Sequence, residues 1–127
     1  MQLWALEGFP EIRPGTDLGQ TIVDSLRENS LVPETGDVLV VAQKVVSKAE
    51  GSVVDLRTVR PGPEAEHLGR ETDKDPRLVE IILQESRAIN RHRPGLIIAE
   101  HRLGFICANA GLDHSNVAGS DDVVSVL

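Results

Sequence analysis

Lys44 and Lys48 stand four residues apart, just after the apolar run Asp37-Val38-Leu39-Val40-Val41-Ala42, in the stretch Gln43-Lys44-Val45-Val46-Ser47-Lys48-Ala49-Glu50-Gly51. Two ammonium groups at that spacing suit the oxygens of a phosphate chain. They share one face if the stretch is helical and can close on one anion if it is a bent loop. A second polar stretch, Asn109-Ala110-Gly111-Leu112-Asp113-His114-Ser115-Asn116, follows the apolar run from Leu103 to Ala108. Here Asp113 offers a charged oxygen, and Asn109, Ser115 and Asn116 offer neutral ones. That donor set suits a hard cation such as Mg²⁺, which takes one or two carboxylates and completes its shell with phosphates and water. Together the two stretches suggest a metal–nucleotide site. Each also has a plainer reading: a pair of solvated surface lysines, and an Asx-rich turn whose side chains cap their own backbone. Spacing alone leaves both open. The stretch is not a P-loop, because a glycine-rich segment ending in Lys-Ser/Thr is absent.

The remaining chemistry-bearing residues carry weaker signals. Glu50 either orients a lysine or sits in water. Glu85 lies on the apolar face of a predicted helix and suits pairing with an arginine such as Arg87, Arg91 or Arg93. Asp121-Asp122 reads as a solvated turn, and His114 as an exposed loop residue. His67, His92 and His101 show no metal-ligand spacing and read as surface residues. Cys107 is the single cysteine, so neither an internal disulfide nor a multi-cysteine zinc site can form. Inside an apolar run it reads as a small buried residue with no activating base beside it.

These residues are positioned by a chain of 127 residues, 40% hydrophobic and 26% charged, long enough for one soluble globular domain with a real core. A formal net charge of −7 argues against the basic face that nucleic-acid binding needs. Aromatic content of 2%, without tyrosine, leaves few stacking platforms and assigns the core to Val, Leu and Ile. No run reaches the ~18 consecutive apolar residues of a membrane span. Met1-Gln2-Leu3-Trp4 lacks the pattern of a signal peptide, so the expected setting is the cytoplasm.

Periodicity predicts an α+β fold with a mixed, largely antiparallel sheet and two main helices, near 17–29 and 76–91. Asp17 caps the first helix, with Gln20 placed to return the bond; Asp75-Pro76 starts the second. Leu3–Leu6 and Asp37–Ala42 read as strands, the latter buried and central. Ser52–Leu56 reads as a return strand and Glu64–Arg70 as a short helix. Gly95–Glu100 and Leu103–Ala108 form a hairpin turning near His101-Arg102, and Asp122–Val126 is a last strand. Both polar stretches are expected to leave neighbouring strand ends as loops.

Taken in order, three segments resemble the coenzyme F-420:L-glutamate ligase (F-420-0 gamma-glutamyl ligase) family. They are Gly36-Asp37-Val38-Leu39-Val40-Val41, Val46-Ser47-Lys48-Ala49-Glu50-Gly51, and Ala108-Asn109-Ala110-Gly111-Leu112-Asp113 with Ser115-Asn116. The resemblance runs from Glu7-Gly8 to the last residue. It implies that GTP contacts Phe9, Pro10, Glu11 and Ile12, then Gln43, Lys44, Lys48 and Asn116, and that Asp113 is a ligand of Mg²⁺ or Mn²⁺. The implied reaction is GTP-dependent: a carboxylate of the F-420 precursor becomes an acyl phosphate, and the amine of L-glutamate displaces the phosphate. Residue chemistry and resemblance agree on Lys44, Lys48, Asp113 and Asn116; Phe9–Ile12 rest on the resemblance alone. No residue is assigned a catalytic role by either. Family members are longer, and their second metal-binding aspartate and adjoining hydroxyl residue fall beyond Leu127. Residues 1–127 are therefore expected to be the amino-terminal portion of a larger, homodimeric ligase fold, either as a fragment or with the rest of the protein as a separate chain. Some members continue into a flavin-dependent reductase domain. The alternative from another class is a non-catalytic α/β interaction domain whose polar stretches are ordinary turns.

Overall fold

A computed structural model describes residues 2–113 and 122–127 and divides the chain into two compact units, Met1–Ser52 and Val53–Leu127. The fold is α+β with antiparallel sheets, as the periodicity predicts.

In the first unit, helix α1 (Leu18–Glu28) starts where predicted. The Asp17 carboxylate accepts from the Gln20 backbone N–H at 2.9 Å, satisfying one of the donors that a helix start leaves open. At its other end the Asn29 carboxamide grips the backbone of Glu7, accepting from its N–H at 3.0 Å and donating to its carbonyl at 3.1 Å. Helix α2 (Gln43–Glu50) replaces the expected polar loop. The reason is local: Gln43 to Glu50 contains no helix breaker, Ser47 points inward, and Gly51 at φ +71 stops the helix in a left-handed cap.

The strands expected at Leu3–Leu6 and Asp37–Ala42 are not formed. Neither segment has a ladder partner among the described residues, and Val38 and Val40 are 83% and 86% exposed. Four β-branched or leucine residues in a row supply strand propensity, but propensity supplies no neighbouring strand, and an unpaired strand is not stable alone. The apolar run is therefore neither buried nor central.

The second unit builds the core. Strand β1 (Val53–Asp55) leads into a 3₁₀ turn, Leu56–Thr58. Helix α3 (Pro63–Thr72) and helix α4 (Pro76–Glu85) follow, then strands β2 (Ser86–Arg93), β3 (Leu96–His101) and β4 (Ile106–Ala108), a 3₁₀ turn at Asn109–Gly111, and strand β5 (Val123–Ser125). β3 is central in an antiparallel β2-β3-β4 sheet, pairing Ile89 with Ala99 and Ile98 with Ala108; β1 pairs separately with β5. Period-two burial along β3 sends Ile97, Ala99 and His101 inward. α4 lies against two clusters at once. Val79 and Ile82 pack with Ala65, Leu68, Ile97, Ala99 and Ala110, while Ile81 packs with Leu56 and Val124.

Helix α4 ends at Glu85 rather than near residue 91. Beyond it only Ala88 and Ile89 are apolar among Arg87–Arg93, too narrow a stripe to hold a helix to the core. Pairing with β3 across the two-residue turn Pro94-Gly95 satisfies the same backbone groups instead. Ile89 packs against the core from the strand, although its spacing also fits a helical stripe.

Two Asp-x-Arg caps recur in this unit. Asp55 and Asp75 each accept from the backbone N–H two residues on, at 2.9 and 2.8 Å, and pair with Arg57 and Arg77. The Arg57 side chain, then its backbone N–H, holds the Asp55 carboxyl down at about 2. A lowered folded value means that this contribution is present above the ordinary carboxyl range and is lost as pH falls toward 2.

Candidate functional site

In the first unit, the helical geometry of α2 puts Lys44 and Lys48 on one face, one turn apart. Ala42 brings no side-chain cap, so the helix start keeps its positive dipole end and backbone N–H groups uncapped by any side chain. Just inside it, Gln43 Nε2 is buried with no acceptor. A buried donor left unmatched costs free energy, so the position favours a ligand bearing acceptor oxygens. Gly15 N–H donates to the Ala49 carbonyl at 2.8 Å, tying the segment that follows Phe9–Ile12 to the end of α2. Ile12 is buried at 7% exposure, Phe9 is half-buried, and Pro10 and Glu11 are exposed, with Glu11 3.9 Å from Arg13. Gln43, Lys44 and Lys48 thus share one helix, and the Phe9–Ile12 segment belongs to the same unit.

In the second unit, β4 runs straight into the turn Asn109–Gly111, whose Leu112 N–H returns to the Asn109 carbonyl at 3.0 Å. Asn109, Ala110 and Gly111 take φ values of 52°, 51° and 73°, three left-handed residues in succession. Ala110 is fully buried in the core and fixes the turn from beneath. Asp113 is then held by its backbone: it exchanges bonds of 3.1 and 3.0 Å with Ser125, leaving its carboxylate out of the ladder. Asn109 Oδ1 is buried and has no hydrogen-bond donor among the described residues. Asp113 and this orphaned oxygen are both hard donors, a fit to Mg²⁺ or Mn²⁺ by the chemistry of the set. Among the described residues no three His, Cys, Asp or Glu side chains converge as a metal group. Asn116, with His114, Ser115 and Asp121, lies outside the described residues. Asp122 faces Arg77 at 3.5 Å.

Gly111 holds this turn at φ +73, where a side chain is strained, and a Cβ there would also push the Leu127 side chain aside. A Cβ there would lie 2.1 Å from Leu127 Cδ1 and 3.0 Å from its Cγ. Gly111→Ala should therefore destabilise the second unit by about 1–3 kcal/mol, read as a shift in the urea midpoint at constant slope. A midpoint equal to the parent's would remove this steric account.

His101 corrects the surface assignment made from spacing. It is 1% exposed, stacked on Phe105 with centroids 4.7 Å apart, and accepts from the Leu103 N–H through Nδ1 at 3.0 Å. The other ring nitrogen, Nε2, lies 3.5 Å from the Glu85 carboxylate. Glu85 takes its arginine from Arg102, in the β3–β4 turn, rather than from Arg87, Arg91 or Arg93. Period-two alternation along Leu96–His101 carried the signal for His101's burial. His67 and His92 both face Glu71, at 3.5 and 3.1 Å. Burial pushes the Cys107 thiol up, away from nucleophilic reactivity.

Residues 8–127 match the family described as F420-0:Gamma-glutamyl ligase. The chain belongs to this family. It is 44% identical over 117 residues to the Coenzyme F420:L-glutamate ligase of Methanothermobacter thermautotrophicus, a match covering 92% of this chain and 46% of that protein. Identity to the ligase of the same name from Methanopyrus kandleri is 48% over 106 residues, covering 84% of this chain and 40% of the relative. For Halorubrum lacusprofundi it is 40% over 129 residues, covering 95% and 48%. The chain spans less than half the length of these relatives. The matched span includes α2, the Asn109–Gly111 turn and Asp113. No helix of the described residues is long and apolar enough to cross a membrane.

Proposed function

We propose that this chain forms part of a GTP-dependent ligase that joins L-glutamate to a precursor of the deazaflavin coenzyme F-420. Membership of the ligase family over residues 8–127 carries this reading. The lysine face of α2 and the oxygen donors around Asp113 support it chemically. A carboxylate oxygen of the precursor attacks the γ-phosphorus of GTP, forming an acyl phosphate and releasing GDP. The glutamate amine then attacks the acyl carbon, the amide forms and inorganic phosphate leaves. Such phosphoryl transfer depends on positioning and charge neutralisation more than on covalent help from the protein. Lys44 and Lys48 neutralise phosphate oxygens, Gln43 Nε2 donates to an acceptor of the nucleotide, and the Phe9–Ile12 segment and Asn116 contact it. Asp113 holds Mg²⁺ or Mn²⁺, which when bound supplies charge neutralisation at the phosphates. The enzyme acts as a cytoplasmic homodimer; the exposed apolar surface at Trp4, Val38, Leu39 and Val40 is what an association surface offers.

Calorimetric titration of the intact protein with GTP and Mn²⁺, alongside an amide-forming assay, tests the reading. One GDP and one phosphate per amide are expected. GTP binding without glutamate transfer would reject the ligase assignment, and absence of GTP binding would reject its nucleotide. Lys48→Ala should weaken GTP binding by about 10–100-fold, the range for one charge-assisted hydrogen bond, with helix content unchanged. Affinity within about twofold of the parent would return Lys48 to the class of solvated surface lysines.

A further inference from the structure

Asn109 combines three observations that the fold alone does not require together. Its Oδ1 is buried without a donor, although most buried polar atoms find one. Its backbone opens a run of three left-handed residues, of which Ala110 has no side-chain reason to adopt that region. The turn is clamped by Ala110 in the core and leads, after Leu112, to the backbone-fixed Asp113. Strain held in place by its surroundings concentrates where a site must be preorganised. An orphaned carboxamide oxygen accepts and does not donate, so its complement is a cation or a donor hydrogen.

We infer that Asn109 Oδ1 is a second, neutral oxygen ligand of the divalent cation held by Asp113. This rests on the metal-dependent ligase reading above and adds a residue to its metal site. Hard cations accept carboxamide oxygens beside carboxylates, and a neutral ligand adds coordination without raising the negative charge that phosphates must approach. The competing explanation is purely conformational, since asparagine tolerates left-handed backbone better than most residues.

Glycine and aspartate separate the two. Both tolerate the left-handed backbone; Asn109→Gly deletes the oxygen, and Asn109→Asp keeps an oxygen and adds charge. Mn²⁺ binding to the intact protein is measured by electron paramagnetic resonance titration, with thermal melting of the metal-free forms. Asn109→Gly should weaken Mn²⁺ binding by about tenfold, the lower end for loss of a metal-site partner, with the metal-free melting temperature preserved or raised. Asn109→Asp should bind Mn²⁺ at least as tightly as the parent. Parental Mn²⁺ affinity in Asn109→Gly overturns the inference and leaves the ligase reading intact. Should Asn109→Gly melt early, the aspartate variant decides, and weaker binding there overturns the inference as well. If the parent shows no Mn²⁺ site that Asp113→Asn abolishes, the metal assignment itself falls, and the inference with it.

Discussion

Asp113→Asn should lower the ligase turnover of the intact enzyme by at least about 100-fold, because a metal's stabilisation of transferring phosphoryl charge is worth several kcal/mol. Its folding should be nearly unaffected. Residue 113 exchanges backbone bonds with Ser125, and an asparagine keeps these. The substitution preserves side-chain size and an oxygen while removing the charge, so it acts on the cation rather than on packing. Single-turnover rates with saturating GTP and Mn²⁺, compared with thermal melting, make the measurement. Turnover within about threefold of the parent would refute the metal role of Asp113, and so would recovery of the lost rate by no concentration of Mn²⁺ combined with a collapsed melting curve.

Ile82→Ala should cost about 2–5 kcal/mol of stability, the usual range for truncating a buried isoleucine. Ile82 is 0% exposed and packs among Ala65, Leu68, Val79, Ile97, Ala99 and Ala110. Helices and sheet meet at that point, so few neighbours can move in to fill the space left. In a unit of this size each lost kcal/mol lowers the melting temperature by about 4–8 °C. The cavity would also lie beneath Ala110, the residue that clamps the turn leading to Asp113. Mn²⁺ affinity of the folded variant should therefore fall as well, by about 2–5-fold if the support is worth 0.5–1 kcal/mol. A loss of less than about 1 kcal/mol by chemical denaturation would show that the core around α4 is less tightly packed than described.

The sequence determined the capped starts of α1 and α4, because Asp17 and Asp75-Pro76 act on the backbone within three residues of themselves. It determined the antiparallel α+β class through local alternation and turn chemistry. It also singled out the residue types for phosphate and metal binding, since charge and hydrogen-bonding capacity belong to the side chain wherever it stands. What it did not determine depends on partners distant along the chain. Val38–Val41 has strand composition, but a strand exists only with a neighbour to share its ladder, and none among the described residues pairs with it. Ile89 fits a helical stripe and a strand face equally, and pairing with Ala99 decided between them. His101 reads as polar surface until the inward face of β3, the ring of Phe105 and the carboxylate of Glu85 enclose it. Asn109's orphaned oxygen is likewise a product of tertiary structure: composition marks a carboxamide, but only the folded chain removes its access to water and leaves it without a donor among the described residues.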